Sequence, residues 1–262
     1  MKRLSIITIN YNNAPGLKKT IRSIVPQLSD DIEYIVIDGG SKDNSVDYIK
    51  EQNGKIAYWI SEPDTGIYHA MNKGIEKAGG EYLLFVNSGD TINAATDLSG
   101  LIKDISGEDI IYYNLQIADS NGQTYIKTYP PYLDFKFFAE SSLPHCATFI
   151  SKQLLVEYGY YDQGMRVVAD WAFFIDAVCL LRCSYKYIDK YFSTFYLDGI
   201  SSQPENFAAL WHEKEGHIKE KYPLYYSIYK EWMEKKDELY RLKSSVSVRF
   251  LKKVGFLKWL KL

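Results

Sequence analysis

Apolar positions follow two different spacings along the first ninety residues of the chain. Apolar runs of five or six residues, typical of buried strands, are separated by stretches in which apolar residues recur at helical spacing. The predicted strands cover 4–9, 33–37, 56–60 and 81–86, and the predicted helices begin near Pro15, at Asp43 or Asn44, and after Gly66. This alternation predicts a mostly parallel sheet with helices on both faces.

Each of these predicted strands ends in a polar cluster, and the four ends contribute Asn10, Asp38, Asp64 and Asp90. Because ligands of open α/β sheets bind outside the carboxyl ends of the strands, we expect the four side chains to converge along one edge. Asp90 directly follows a buried strand, where a carboxylate can bind a divalent cation that bridges phosphates. For Asp90 alone, a solvated turn residue is the alternative.

The second half of the chain has a less regular pattern. A hairpin is predicted at Asn121-Gly122, and a helix break at Tyr222-Pro223. The predicted elements are a helix over 96–105, strands over 110–117 and 123–129, an aromatic helix over 133–139, a strand over 144–150, an apolar helix over 171–181, short strands over 185–188 and 194–197, and two helices over 204–242. We therefore expect an irregular second half followed by a helical extension.

Length and composition set the number of domains that the chain can form. The 262 residues are 46% hydrophobic, enough for one large domain or for one domain with an appendage. No stretch of eighteen apolar residues is present, and we expect no signal peptide, because Met1-Lys2-Arg3 leads directly into a predicted strand. The three cysteines lack metal-ligand spacing and are expected to be reduced thiols in a cytoplasmic protein.

Charge is distributed unevenly along the chain. Residues 241–262 contain seven Lys or Arg and no Asp or Glu, whereas the preceding part carries 24 basic and 33 acidic side chains. With Phe250, Phe256 and Trp259, this tail favours an interfacial anchor on an anionic membrane. The expected location is the inner face of the plasma membrane. A solvated basic end, packed back on the protein or disordered, is the alternative.

Five segments, in this order, resemble the inverting family 2 glycosyltransferases with the GT-A fold, most closely those of bacterial polysaccharide and lipopolysaccharide synthesis. They are 5–12, 34–43, 62–75, 80–90, and 145–149 together with Asp170. The resemblance implies a GT-A domain over 1–203, with a Rossmann-like nucleotide-binding half (1–93) and an acceptor half (94–203). Residues 204–262 would form a C-terminal helical extension.

The resemblance also assigns roles on the donor side. It implies that Asn10 and Tyr11 line the nucleotide base, that Asp38 accepts a hydrogen bond from the base, and that Asp64 and the Gly66 backbone lie near base and diphosphate. We assign Ser88 to the same nucleotide site. Asn72 is expected to fasten its helix to a neighbouring loop.

Metal, base and acceptor roles follow from the same resemblance. Asp90 takes the last position of an Asp-x-Asp-type motif, here Asn87-Ser88-Gly89-Asp90, which implies Mn²⁺ or Mg²⁺ although two carboxylates often found there are missing. Asp170 would be the general base, with a helix N-cap as the alternative. His145 and Trp171 would face the acceptor, and a structural histidine is the alternative for His145.

The implied reaction moves a sugar from a nucleoside diphosphate sugar to a hydroxyl of a glycan or lipid-linked glycan, with inversion. A cation would offset charge on the leaving diphosphate, and a carboxylate would take the hydroxyl proton. Two alternatives stay open: a polyprenyl-phosphate sugar transferase, and a non-catalytic nucleotide-sugar-binding or scaffold protein. A homodimer is left open, and nucleic acid is not an expected partner.

Overall fold

The computed structural model describes residues 2–119, 122–197, 203–245 and 248. Its strands are β1 (Lys2–Asn10), β2 (Ile32–Asp38), β3 (Tyr58–Ser61), β4 (Gly80–Phe85), β5 (Thr91–Ile92), β6 (Ile110–Ala118), β7 (Thr124–Lys127), β8 (Thr148–Ser151) and β9 (Tyr185–Tyr196). Its helices are α1 (Ala14–Ile24), α2 (Ser45–Glu51), α3 (Ile67–Lys77), α4 (Leu98–Lys103), α5 (Phe135–Glu140), α6 (Lys152–Tyr158), α7 (Ala169–Cys179), α8 (Phe207–Lys221) and α9 (Pro223–Ser244). The chain divides into two units, 1–213 and 214–262, and the predicted boundary after residue 203 stays a prediction.

The first unit is built on one sheet with strand order β3-β2-β1-β4-β8-β6-β9-β5, and β7 pairs with β6. The strands β3, β2, β1 and β4 are parallel. Beyond them, β8 is antiparallel to both β4 and β6, β9 is parallel to β6, and β5 is antiparallel to β9. The predicted α/β class is confirmed, with a parallel first half and a mixed second half.

The parallel strands are buried on both faces, as their continuous apolar sequences predict. In β2, Ile35, Val36 and Ile37 have no exposed surface. Helix α3 packs on β1 at Gly74, where an added Cβ would lie 2.6 Å from Cγ2 of Ile7. Gly74 therefore lets the helix approach the strand closely, which fixes α3 against the sheet.

Three predicted elements differ from the structure. The predicted strand over 144–150 begins as a 3₁₀ turn at His145–Ala147, and only Thr148–Ser151 pairs with the sheet. The two short strands predicted near the end of the domain are one strand, β9, whose pairing shifts register opposite Asn114. Exposed Asp189 and Lys190 interrupt the apolar pattern there, and the pairing with β6 passes from Ile188 directly to Tyr191.

Helix α6 and strand β5 were not predicted. The helix has seven residues, too few for a clear period, but it has recognisable end signals. The Ser151 side chain accepts a hydrogen bond from the Leu154 amide at its start, and Gly159 ends it with a φ of 96°. Strand β5 has two residues and is defined by its pairing with β9.

The second unit contains the end of α8 and all of α9. Ile218, Tyr222 and Tyr229 are buried, and the Tyr226 hydroxyl donates a 2.6 Å hydrogen bond to Glu215. Among the helices that the structure describes, none has the length and apolar character needed to cross a bilayer. Most of the basic tail predicted to bind membranes, 246–247 and 249–262, lies outside the described residues.

Candidate active site

The Asp38 carboxylate joins the carboxyl ends of the first three parallel strands. It accepts hydrogen bonds from Asn10 Nδ2 (2.7 Å), from the Ser41 hydroxyl and amide (2.6 and 2.9 Å) and from the Ser61 hydroxyl (2.6 Å). A carboxylate has about four lone-pair positions, and these donors fill them. Asp38 is fully buried, so it organises the sheet edge, and its predicted contact with a base stays a prediction.

Gly39 packs closely between an aromatic ring and a carboxylate. A Cβ added at Gly39 would lie 3.2 Å from Tyr11 Cδ2 and 3.2 Å from Asp64 Oδ2. The Tyr11 ring is 68% exposed, so one of its surfaces is open to solvent. A flat, partly apolar ring can pack against such a side chain. The structure thus brings Tyr11 and Asp64 together across Gly39.

Lys73 holds the Asp64 carboxylate in place. Its Nζ lies 2.6 Å from Asp64 Oδ1 and 2.7 Å from Glu62 Oε1. Burial lowers the pKa of Lys73, but the hydrogen bonds and charges of these two carboxylates outweigh it, and the pKa is raised. The amide of Thr65 donates to His69 Nδ1 at 3.0 Å. These contacts fix the segment that leads into α3.

A cavity of about 430 Å³ lies at the amino end of α3. Gly66 precedes the helix with a φ of 153°, in the region that favours glycine. The positive end of a helix dipole favours anionic groups, including phosphates. The lining residues are Thr65, Gly66, Ile67, Tyr68 and His69 on one side and Gln163, Gly164, Met165 and Arg166 on the other.

Asp170 lies beside this cavity, in the first turn of α7. The helix begins at Ala169 with Val168 at the N-cap position, so Asp170 is not the cap. Asp170 Oδ1 accepts a 2.8 Å hydrogen bond from the hydroxyl of Tyr68, which lines the cavity. Burial and the Asp170 charge raise the pKa of Tyr68 well above its usual value, so Tyr68 stays protonated and donates.

His145 stands in an aromatic cluster behind Asp170. Its ring stacks on Phe85 with centroids 4.5 Å apart, and its Nε2 lies 2.9 Å from the Tyr161 hydroxyl. Burial lowers the pKa of His145 to about 4, although the Asp170 charge acts in the opposite direction. The histidine is therefore neutral at physiological pH. These contacts fit the structural alternative, and the acceptor contact stays a prediction.

Trp171 points into the protein core. It is 2% exposed, and its indole N–H donates a 2.8 Å hydrogen bond to the Phe138 carbonyl. The contact fastens α7 to α5. Its predicted position on the acceptor side stays a prediction, but the structure does not bring it to the cavity surface with Tyr68.

Helix α1 holds the turn that carries Ser88 and Asp90. The Thr20 hydroxyl donates to the Asp90 carbonyl at 2.7 Å and accepts from the Gly89 amide at 3.0 Å. Asn13 Nδ2 donates to the Ser88 carbonyl at 3.3 Å. Asp90 is 8% exposed, and its carboxylate accepts a 3.3 Å hydrogen bond from the Tyr196 amide. The turn is thus fixed from both sides.

The side-chain oxygen atoms of this turn could supply part of the coordination of a divalent cation, with a bound ligand supplying the rest. Asn87 Oδ1 is buried without a hydrogen-bond partner, and with the Asp90 carboxylate it gives two hard oxygen donors within one turn. In the part of the chain that the structure describes, no group of three or more His, Cys, Asp or Glu could hold a metal ion. A cation here would need phosphate and water oxygens as well, which is common for Mg²⁺.

Several contacts that build the site were not predicted from sequence. Thr20 and Tyr68 act through hydrogen bonds to residues far along the chain, whereas Lys73 contacts Glu62 and Asp64 just before its own helix. Of the three, only Tyr68 had a local signal, a polar hydroxyl on the buried face of α3. The predicted fastening role of Asn72 is confirmed. Its side chain donates to the Tyr161 carbonyl at 2.8 Å and accepts from the Tyr161 amide at 3.0 Å.

Comparison with solved structures shows the same fold in other proteins. S. aureus TarS 1–349 in complex with UDP aligns with a TM-score of 0.61 at 19% identity, over 83% of this chain and 65% of that one. The mannosyltransferase PcManGT from Pyrobaculum calidifontis, solved with GDP-Man and Mn²⁺, aligns with a TM-score of 0.57 at 16% identity, over 82% and 61%. This chain therefore spans about two thirds of their length and has a GT-A-like fold.

Sequence comparison identifies the family. The model for glycosyl transferase family 2 matches residues 5–176. An uncharacterized glycosyltransferase of Mycobacterium tuberculosis strain H37Rv is 32% identical over 225 residues, 84% of this chain and 85% of the relative. A PGL/p-HBAD biosynthesis glycosyltransferase of Mycobacterium bovis strain BCG is 30% identical over 178 residues, 64% and 67% of the two chains. The chain belongs to glycosyl transferase family 2.

Proposed function

We propose that this glycosyltransferase moves one sugar from a nucleoside diphosphate sugar to a hydroxyl of a bacterial cell-surface glycan, with inversion at the anomeric carbon. The observation that carries the proposal is the hydrogen bond between Tyr68 and Asp170. It joins a carboxylate to Tyr68, which lines the cavity at the amino end of α3. A proton acceptor is therefore bonded directly to the wall of a space that favours anionic groups.

The donor would bind along the carboxyl ends of β1 to β4. The exposed Tyr11 side chain, with the Asp64 carboxylate nearby, suits a base, and the turn at Ser88 and Asp90 suits the diphosphate. Solved relatives of the same fold were captured with UDP, UDP-GlcNAc and GDP-Man, which supports a nucleoside diphosphate sugar as the donor class. Asn10 and Asp38 would support this surface from below, through the hydrogen bond that joins them.

The chemical step would be a single displacement. The acceptor hydroxyl gives its proton to Asp170 while its oxygen bonds to the anomeric carbon, and the bond from that carbon to the diphosphate breaks on the opposite face. Tyr68 engages Oδ1 of Asp170 and so orients Oδ2 toward the acceptor. One catalytic carboxylate is sufficient, because the diphosphate leaves as an anion and needs no proton from a second carboxylic acid.

Asp90 and the amide oxygen of Asn87 would hold the divalent cation, Mn²⁺ or Mg²⁺. When bound, the cation would offset the charge that grows on the diphosphate. The buried, unpartnered oxygen of Asn87 supports this assignment, because such an atom usually has a hydrogen-bond donor or a cation as partner. The solved neighbour captured with Mn²⁺ supports it at the level of the fold.

The acceptor would be a growing, lipid-linked glycan. A basic, aromatic tail that binds the membrane would bring the enzyme close to such an acceptor. Residues 241–262 would bind the anionic inner face of the plasma membrane. The mycobacterial relative named for PGL/p-HBAD biosynthesis supports a glycolipid setting for this family branch.

The proposal is tested by turnover with a panel of nucleoside diphosphate sugars in the presence of Mn²⁺ or Mg²⁺. We expect one donor to release its nucleoside diphosphate when a glycan acceptor is added, and the product to have the opposite anomeric configuration by NMR. A product that retains the donor configuration contradicts the single displacement. Tight donor binding without release of diphosphate, for every acceptor offered, would favour the non-catalytic alternative.

A further inference from the structure

The Glu213 carboxylate accepts three backbone hydrogen bonds from the segment just before α7. Its Oε1 accepts from the Arg166 amide at 2.7 Å, and its Oε2 accepts from the amides of Val167 and Val168 at 3.0 and 3.2 Å. Glu213 is on α8, 45 to 47 residues further along the chain. One side chain thus satisfies three consecutive amides of a loop.

Two of those amides belong to buried residues. Val167 and Val168 are buried, with 6% and 2% of their surface exposed, so water has little access to them. They stand at the start of α7, where backbone N–H groups have no partner inside the helix. A buried amide that loses its acceptor costs free energy comparable to a lost hydrogen bond. Glu213 is therefore what keeps this segment in its observed conformation.

The segment has functional residues on both sides. Residues 163–166 form one wall of the cavity, and Asp170 follows two positions after the last clamped amide. The other end of the loop is held by Asn72, which pairs with the Tyr161 backbone. Glu213 and Asn72 thus fix the cavity wall and the start of α7 from two different helices.

We infer that Glu213 is a positioning residue for the transfer reaction: it sets the cavity wall 163–166 and the first turn of α7, and through them the placement of Asp170. Glu213 lies outside the residues 5–176 that match the family model, so the model itself does not include it. The catalytic part of the inference rests on the proposed function, whereas the clamp itself is a property of the folded chain.

The test uses two substitutions in the full chain, Glu213→Gln and Glu213→Ala. Gln keeps one accepting oxygen and loses the charge, and Ala removes all three bonds. Glu220→Gln is the matched control, because it makes the same charge change on the same helix at an exposed side chain. The first measurement is amide hydrogen exchange of peptides that cover 163–170, made without substrate.

We expect exchange at 166–168 to be at least tenfold faster in Glu213→Ala, intermediate in Glu213→Gln and unchanged in the control. In turnover, kcat should fall about 10- to 100-fold in Glu213→Ala, because small displacements of a reacting group cost rate steeply. The donor dissociation constant should change less than about threefold, since donor-binding groups lie on other elements. A lower kcat with unchanged donor binding indicates a positioning role, because general destabilisation would weaken donor binding as well.

Unchanged exchange at 166–168 in both variants would overturn the clamp, whatever the enzyme's reaction. Faster exchange with normal kcat would overturn the positioning role and leave only a structural one. If Glu213→Ala does not fold, the comparison of Glu213→Gln with Glu220→Gln decides by the same criteria. The proposed base is tested separately, because Asp170→Asn leaves the three amide bonds in place.

Discussion

The Tyr68 hydroxyl and the Asp170 carboxylate form a 2.8 Å hydrogen bond although they are 102 residues apart in the chain. Tyr68 belongs to the helix at the donor side, and Asp170 belongs to the helix that would supply the base. The bond therefore couples the proposed nucleotide-binding half of the domain to the proposed acceptor half.

Replacing Asp170 by Asn should lower turnover by a factor on the order of 10² or more, because the acceptor hydroxyl loses its proton acceptor. Donor binding should stay within about threefold of the wild-type value, since Asp170 is not among the residues proposed to bind the donor. Single-turnover rates and donor titrations measure the two effects. Tyr68→Phe should slow turnover less, as it removes only the orienting bond. Near-normal turnover of the Asn variant would remove Asp170 from the mechanism.

Replacing Asp90 by Ala should abolish metal-dependent binding of nucleoside diphosphate while the fold is kept. The Asp90 carboxylate is the only charged side chain of the turn 87–90. Its removal therefore takes away the negative charge that would balance the cation. Isothermal titration with and without Mn²⁺ measures the dependence, and circular dichroism checks the fold. Asp104→Asn, an exposed carboxylate at the end of α4, is the control. Unchanged affinity of Asp90→Ala in excess Mn²⁺ would mean that the metal binds elsewhere.

His145 should make the protein less stable in mild acid. Its pKa is lowered to about 4 in the folded state, so between pH 6.5 and 4 the unfolded chain binds a proton that the native state excludes. The free energy of unfolding should therefore fall by about 2 kcal/mol between pH 7 and pH 5 from this residue alone. Urea titrations at the two pH values measure it.

The control for this prediction is His145→Gln, which lacks the titrating ring. Its free energy of unfolding should depend less on pH over the same interval, even if the variant is less stable at pH 7. An equal pH dependence in both proteins would show that His145 is protonated as readily in the native state as in the unfolded one.

Two glycines in helices should respond in opposite ways to alanine. At Gly74, a Cβ would lie 2.6 Å from Ile7, so Gly74→Ala should destabilise the protein by about 1–3 kcal/mol and displace α3. At Gly216 on α8, no atom lies within 4 Å of the added Cβ, so Gly216→Ala should stabilise by roughly 0.5–1 kcal/mol through helix propensity. Thermal unfolding compares the two, and a stabilised Gly74→Ala would contradict the close packing of α3 on β1.

The basic tail should bind anionic membranes. Seven Lys or Arg would each contribute about 1 kcal/mol near an anionic surface, and Phe250, Phe256 and Trp259 would add apolar burial. We expect co-sedimentation with vesicles that contain phosphatidylserine, weaker at high salt, and its loss on truncation after Leu242. The truncated chain should still bind donor, and transfer to a lipid-linked acceptor should slow more than transfer to a soluble one. Equal sedimentation of both chains would rule out the tail as the anchor.

The parallel half of the fold was predictable because its signals are local. Each strand there is a continuous apolar run, and each ends in a polar cluster that the sheet then brings to one edge. The second half was less predictable, since β9 contains exposed Asp189 and Lys190, and α6 is too short to show a period. Its strands are defined by partners that are distant in sequence.

The same difference between local signals and distant partners explains which parts of the site were predicted and which were missed. Asp38, Asp90 and Asp170 stand next to recognisable elements, so their positions could be read from the chain. Their partners could not, because the hydrogen bond from Thr20 to the Asp90 carbonyl, and the one from the Arg166 amide to Glu213, join residues 70 and 47 positions apart. No local pattern records such a pair.

The two-way pairing of Asn72 with the Tyr161 backbone has a consequence for the order in which the protein can be made. Sequential synthesis exposes β1 to β4 and α3 well before residue 161 is joined to the chain. Until then, the amide of Asn72 and the hydroxyl of Tyr68, both on the buried face of α3, have neither of their later partners. The proposed nucleotide-binding half emerges from the ribosome first, and the cavity at the amino end of α3 is complete only once the chain has grown past Asp170.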